Sequence, residues 1–200
     1  MFKVTLFFLG VHMKCKLKIG FFASLMVLTL AITSAEYFPA LICAVALHEL
    51  GHITAAKIRH IKLSEMKLSI FGASLYPRNQ LFSYFDEIIL CVGGPLTNLL
   101  SAAVCISLGR SHSLFSMSSI ALGVLNMLPI HGFDGGRILS AFLSIYLSPK
   151  AAVIVCKMVS FVIILIMWCA SVYFLLRSSA TMTMFVFSMF MFSKIFISDK

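Results

Sequence analysis

Charge is scarce in this chain. Only 12% of its 200 residues are charged, and seven acidic side chains stand against sixteen basic ones. An ordinary soluble domain carries about a quarter charged residues, so that class is excluded. The six cysteines (Cys15, Cys43, Cys91, Cys105, Cys156 and Cys169) form no CxxC pair, and all but Cys15 fall in apolar stretches. They read as small buried hydrophobes, which excludes a disulfide framework and a cysteine-rich metal site. Low-complexity tracts, internal repeats and lipidation signals are also missing.

What is abundant is apolar sequence, at 60% of the residues. A bilayer core needs roughly 20 mostly apolar residues per helix. Six stretches qualify, at about residues 17–34, 37–57, 84–108, 113–129, 152–176 and 179–197. The expectation is an all-α membrane protein, one integral-membrane domain over 1–200 with six transmembrane helices. Lys14, Lys16 and Lys18, preceding an apolar run that ends near Ala31 to Ala35, resemble the start of a signal peptide. With the rest of the chain membrane-embedded, a first spanning helix is the simpler reading.

The net charge of +9 reads as topology rather than as a nucleic-acid footprint. Six crossings with a cytoplasmic N-terminus put every Lys and Arg on the inner side except Arg110 and Arg177. That follows the positive-inside rule and places both termini in the cytoplasm. No nucleic-acid partner is expected; the surroundings are the lipid bilayer.

Chemistry enters at His48-Glu49-Leu50-Gly51-His52. On a helix, positions i and i+4 share a face, so both imidazoles can reach one ion. Catalytic zinc takes three protein ligands and a water, and Glu49 is placed to take a proton from that water as general base. From Ala40 to Ala56 these three are the only ionisable side chains apart from Cys43. Charge at that depth is costly unless paired or ligated, which favours a metal site over stray core histidines.

A third donor is sought in the run from Asn126 to Arg137. Pro129 should break the fourth helix, and Gly132, Gly135 and Gly136 allow a tight loop around Asp134. Asp134 is the first choice and His131 the second. Asn126 carries an amide suited to substrate backbone or to a carbonyl freed by the proline. His12, His60 and His112 sit at segment edges and read as interfacial histidines.

Three blocks together resemble the site-2 protease family of intramembrane metalloproteases, peptidase family M50. They are HELGH at 48–52, Gly93-Gly94-Pro95-Leu96-Thr97-Asn98, and the NxxPxxxxDG pattern of Asn126, Pro129, Asp134 and Gly135. The resemblance covers about residues 36–140, the catalytic core, with the C-terminal helices at about 152–197 beyond it. It implies one Zn2+ per chain held by His48, His52 and Asp134, with Glu49 as the base and Asn126 orienting substrate. Asn98, Pro129 and Gly135 would be supporting positions. It also implies a short β-hairpin within Met66 to Tyr76, where alternating polarity around Gly72 independently suggests strands.

By its small size the chain is most similar to the stage IV sporulation FB type, whose members release a sigma factor from a membrane-tethered precursor. PDZ and CBS domains are not expected. The resemblance implies a membrane-tethered protein substrate, a membrane inhibitor or regulator as partner, and a bacterial cell membrane as location. An anti-sigma factor or signal-peptide remnant is the alternative substrate. A metal transporter would carry acids or histidines along several helices, and the last two apolar segments have none. An inactive relative kept as a binding protein would have lost the base or a ligand, and both are present.

Overall fold

The computed structural model describes residues 2–8, 11–17, 36–61, 63–69, 72–77 and 83–177. The chain divides into two compact units, Met1–Met127 and Leu128–Lys200.

Among the described residues the first unit holds four strands and three helices. Strands β1 (Phe2–Phe8) and β2 (Val11–Leu17) precede helix α1 (Tyr37–Ile58), and β3 (Leu63–Ser69) and β4 (Gly72–Pro77) follow it. They form one sheet in the order β1-β2-β3-β4. The β1–β2 and β3–β4 pairs are antiparallel, the latter from Leu63 opposite Pro77 to Ser69 opposite Gly72. Between them β2 and β3 run parallel, Lys14 opposite Glu65 through Leu17 opposite Leu68. A parallel pair needs a long crossover, and the segment containing α1 supplies it. The fold is mostly helical, but the expectation of helices with only one short hairpin is corrected to a four-stranded sheet: a parallel pairing between residues some fifty positions apart leaves no local pattern to read.

Helices α2 (Tyr84–Ser107) and α3 (Leu114–Met127) complete the unit. Ser83 caps α2, its hydroxyl accepting from the Phe85 N–H, and Asp86 and Glu87 occupy the first turn, where the helix dipole favours acids. Both α1 and α2 end in Schellman motifs. The N–H groups of Ile61 and His60 bond to the carbonyls of Ala56 and Lys57, and those of Arg110 and Gly109 to Cys105 and Ile106. The left-handed residues that make these turns are His60 (φ 54) and Gly109 (φ 72). Arg59 and Asp86 join the C-terminus of α1 to the start of α2 through an ion pair of 2.7 Å.

Which faces pack is decided by size and polarity, not by hydrophobicity. The buried stripe of α1 is Ala44, His48, Gly51, His52, Ala55 and Ala56, that of α2 Leu90, Cys91, Gly94, Pro95, Asn98 and Ala102, and that of α3 Ser116, Ser119, Gly123 and Asn126. Outside stand Ile42, Val45, Leu96, Leu100, Val104 and Val124. This inverts a water-soluble bundle, as lipid requires. Where the solvent is as apolar as leucine, helices associate through close backbone approach and interhelical hydrogen bonds. A Cβ at Gly93 would stand 2.6 Å from the Gly51 carbonyl oxygen, so α1 and α2 touch backbone to backbone there.

The second unit holds α4 (Asp134–Tyr146) and α5 (Pro149–Arg177). Between α3 and α4 the chain is non-helical only over residues 128–133. The sequence places Asp134 in a loop reaching Gly136; instead it is the first residue of a helix. Pro129 ends the preceding helix as expected, but the glycines after Asp134 serve packing. A Cβ at Gly136 would run into the backbone of Ile130, so the returning segment lies flat on the first turn of α4.

Among the described residues, three helices are long and apolar enough to cross a membrane: Phe38–Ile58, Tyr84–Ser107 and Pro149–Phe174, with Leu114–Met127 a shorter apolar helix. The expected six are not supported. The 113–129 segment gives only 14 helical residues. The 17–34 segment apart from Leu17, and all of 179–197, lie outside the described residues.

Candidate metal centre

The HELGH run lies on α1, where the one-turn spacing brings the imidazoles together. Nε2 of His48 and Nε2 of His52 are 3.2 Å apart, and the residues are 3% and 2% exposed. Each ring is held from behind by α2. His52 Nδ1 lies 2.8 Å from the Leu90 carbonyl oxygen. A carbonyl only accepts, so Nδ1 bears the proton and Nε2 keeps its lone pair. His48 Nδ1 lies 3.2 Å from Nδ2 of Asn98, which is fully buried.

Gly94 faces the pair. A Cβ there would stand 2.5 Å from Nε2 of His52 and 2.8 Å from Nε2 of His48. The absence of a side chain at this one position keeps both nitrogens accessible from α2. Pro95, next in the helix, supplies no N–H, and Thr97 returns its hydroxyl to the Gly93 carbonyl at 2.8 Å. The Gly-Gly-Pro-Leu-Thr-Asn block thus has separable duties: Gly93 sets the helix approach, Gly94 clears the imidazoles, and Asn98 contacts one of them.

Asn126 is 9% exposed on α3, and its Nδ2 donates to the Leu122 carbonyl one turn back at 3.0 Å. In this arrangement its amide nitrogen is engaged by its own helix.

In the second unit Asp134 is 7% exposed and stands in the first turn of α4, where the dipole stabilises a carboxylate. Gly135 and Gly136 are buried and His131 half-buried. A residue the sequence gives no reason to select holds the segment before Asp134. Fully buried Ser160 on α5 accepts from the His131 N–H at 2.7 Å and lies 2.6 Å from the Cys156 carbonyl and 3.4 Å from that of Pro129. A serine inside a long apolar helix is a faint signal, and only the fold reveals its partners.

In the first unit His48 and His52, and in the second Asp134, are each buried, and imidazole nitrogen and carboxylate oxygen are both donor types that catalytic zinc takes. The sequence model of Peptidase family M50 matches residues 101–168, which include Asn126, Pro129 and Asp134 but not the histidine pair. A zinc metalloprotease of Methanocaldococcus jannaschii is 29% identical over 121 residues, 55% of this chain. The chain spans about a third of that relative's length, 35%. The solved structure of the site-2 protease from Methanocaldococcus jannaschii superposes with a TM-score of 0.68 at 21% identity, covering 100% of this chain and 96% of that one. The chain shares the site-2 protease fold. In sequence the chain is thus similar to Peptidase family M50 over its second half, and in fold to a site-2 protease. A buried polar side chain on an apolar helix is costly unless it is paired or ligated.

Proposed function

We propose that this chain is an intramembrane zinc endopeptidase that cleaves a membrane-tethered protein. The observation that carries this reading is the pair of buried imidazoles whose Nε2 atoms stand 3.2 Å apart on a helix apolar enough to cross a membrane. The test is co-expression with tethered candidate precursors, mapping any new terminus and measuring zinc in the purified protein. Stoichiometric zinc and a cut that disappears in the Glu49→Gln variant are expected; cleavage by a zinc-free chain would overturn the proposal.

One zinc ion is assigned to His48, His52 and Asp134. The third assignment favours Asp134 over His131 because it is the more buried and because a carboxylate adds the negative charge that two neutral imidazoles cannot. When bound, zinc supplies Lewis acidity that lowers the pKa of a water toward about 7 and polarises a carbonyl. Glu49 accepts the proton of the attacking water and delivers it to the leaving amine nitrogen. Asn126 orients substrate once its amide leaves the Leu122 carbonyl. The Leu90 carbonyl fixes the His52 ring, and the large aliphatic side chains outside keep bulk water from the site.

A helical peptide bond is internally hydrogen-bonded, so the substrate segment must first unwind. The paired strands β3 and β4 after the zinc helix suit it to capture an extended segment by strand addition. A bacterial cell membrane with both termini cytoplasmic fits the distribution of Lys and Arg. A sigma-factor precursor during sporulation is the specific substrate proposed, with an anti-sigma factor or signal-peptide remnant as the alternative, and a membrane inhibitor as regulator.

A further inference from the structure

The contact between Asn98 and His48 contains a mismatch that bears on the ion. As placed, the amide nitrogen of Asn98 faces His48 Nδ1 at 3.2 Å. An amide nitrogen only donates, so Nδ1 must accept, and in neutral His48 the proton then sits on Nε2. That proton is directed at His52 Nε2, 3.2 Å away, whose lone pair is fixed by the bond from Nδ1 to the Leu90 carbonyl. This tautomer of His48 has no Nε2 lone pair to give a metal. Meanwhile Oδ1 of Asn98 is buried without a hydrogen-bond partner among the described residues, an unfavourable placement for an amide oxygen.

Turning the amide by 180° exchanges its oxygen and nitrogen at nearly constant shape. Oδ1 then accepts from Nδ1–H of His48, and Nε2 of His48 becomes a donor atom alongside Nε2 of His52. We propose that Asn98 is a positioning residue for the metal, an amide that selects between two His48 tautomers. With its nitrogen forward the two imidazoles hydrogen-bond to each other; with its oxygen forward both present lone pairs to an ion. Metal-ligating histidines in general give their other N–H to an acceptor. Here Leu90 provides a permanent acceptor for His52, and Asn98 a reversible one for His48. An aspartate would lock the second state and a leucine would support neither.

This inference rests on the zinc reading above, and the test separates the two. The full chain is purified in detergent, stripped with a chelator and titrated with Zn2+ against a chromogenic competitor, for the unaltered protein, Asn98→Leu and Asn98→Asp. Asn98→Leu should bind Zn2+ about 10- to 100-fold more weakly, the usual loss when a ligand's acceptor is removed. Asn98→Asp should bind at least as tightly as the unaltered chain. A merely structural asparagine gives the opposite order, since a carboxylate buried in an apolar helix disturbs packing more than leucine does. Equal affinity for all three chains overturns the inference, as does Asn98→Asp binding more than tenfold more weakly than the unaltered chain. If Asn98→Leu does not fold, Asn98→Asp decides alone. Failure of the unaltered chain to bind Zn2+ overturns the zinc reading itself, and this inference with it.

Discussion

A Cβ on Gly94 would lie 2.5 Å from Nε2 of His52, so a glycine on one helix sets the room left beside a histidine on another. Gly94→Ala should leave the helices in place, because the obstructed atoms belong to side chains and not to backbone. Zinc affinity should fall about 10- to 100-fold, the scale seen when ligand geometry is disturbed from outside. Gly93→Ala is the contrast: its Cβ would meet backbone, 2.6 Å from the Gly51 carbonyl oxygen, and should destabilise the fold by about 1–3 kcal/mol. Zinc titration and thermal denaturation of both variants check this. Normal zinc binding by a folded Gly94→Ala variant would remove the role assigned to that glycine.

Glu49→Gln should lower cleavage at least about 100-fold, the loss expected for a general base, while zinc content stays unchanged because no assigned ligand is altered. Metal analysis beside a cleavage assay decides it. Undiminished proteolysis by this variant ends the general-base assignment.

For the third ligand, Asp134→Ala should lose most bound zinc and all activity, whereas His131→Ala should keep the metal and lose activity only in part. Metal content of the two purified variants separates them. A metal-free His131→Ala together with an active, zinc-loaded Asp134→Ala would reverse the assignment.

Ser160→Ala should destabilise the protein by about 1–3 kcal/mol, since the His131 N–H would lose the hydroxyl it now meets at 2.7 Å. Ser160→Thr keeps the hydroxyl and should recover most of the loss. Denaturation midpoints give the answer, and coincidence of Ser160→Ala with the unaltered chain would show the bond to be dispensable.

For topology, reporter fusions flanking the three long apolar helices should report opposite sides across each one, with those after residues 78 and 150 in the cytoplasm and those after 35, 110 and 178 outside. The uneven placement of the sixteen Lys and Arg motivates this through the positive-inside rule. A cytoplasmic signal at 110 would contradict the orientation.

The sequence by itself determined the apolar character of the helices and the pairing of His48 with His52. Both follow from local rules: the length that spans a bilayer, and a helical turn that brings i and i+4 together. It also located the ends of α1 and α2 closely, because an apolar run and its polar flanks are visible without a fold. Tertiary structure decided the rest. The inward faces of α1, α2 and α3 were not legible as hydrophobic stripes, because helices in lipid are apolar all round and select neighbours by small and polar side chains. Asn98 meets His48 from fifty residues away, Leu90 meets His52 across thirty-eight, and Ser160 meets His131 across twenty-nine. The parallel pairing of β2 with β3 and the start of a helix at Asp134 are likewise products of packing. Spacing names the atoms that face one another along a helix, but the proton each ring carries is set by what stands behind it, and that is known only once the chain has folded.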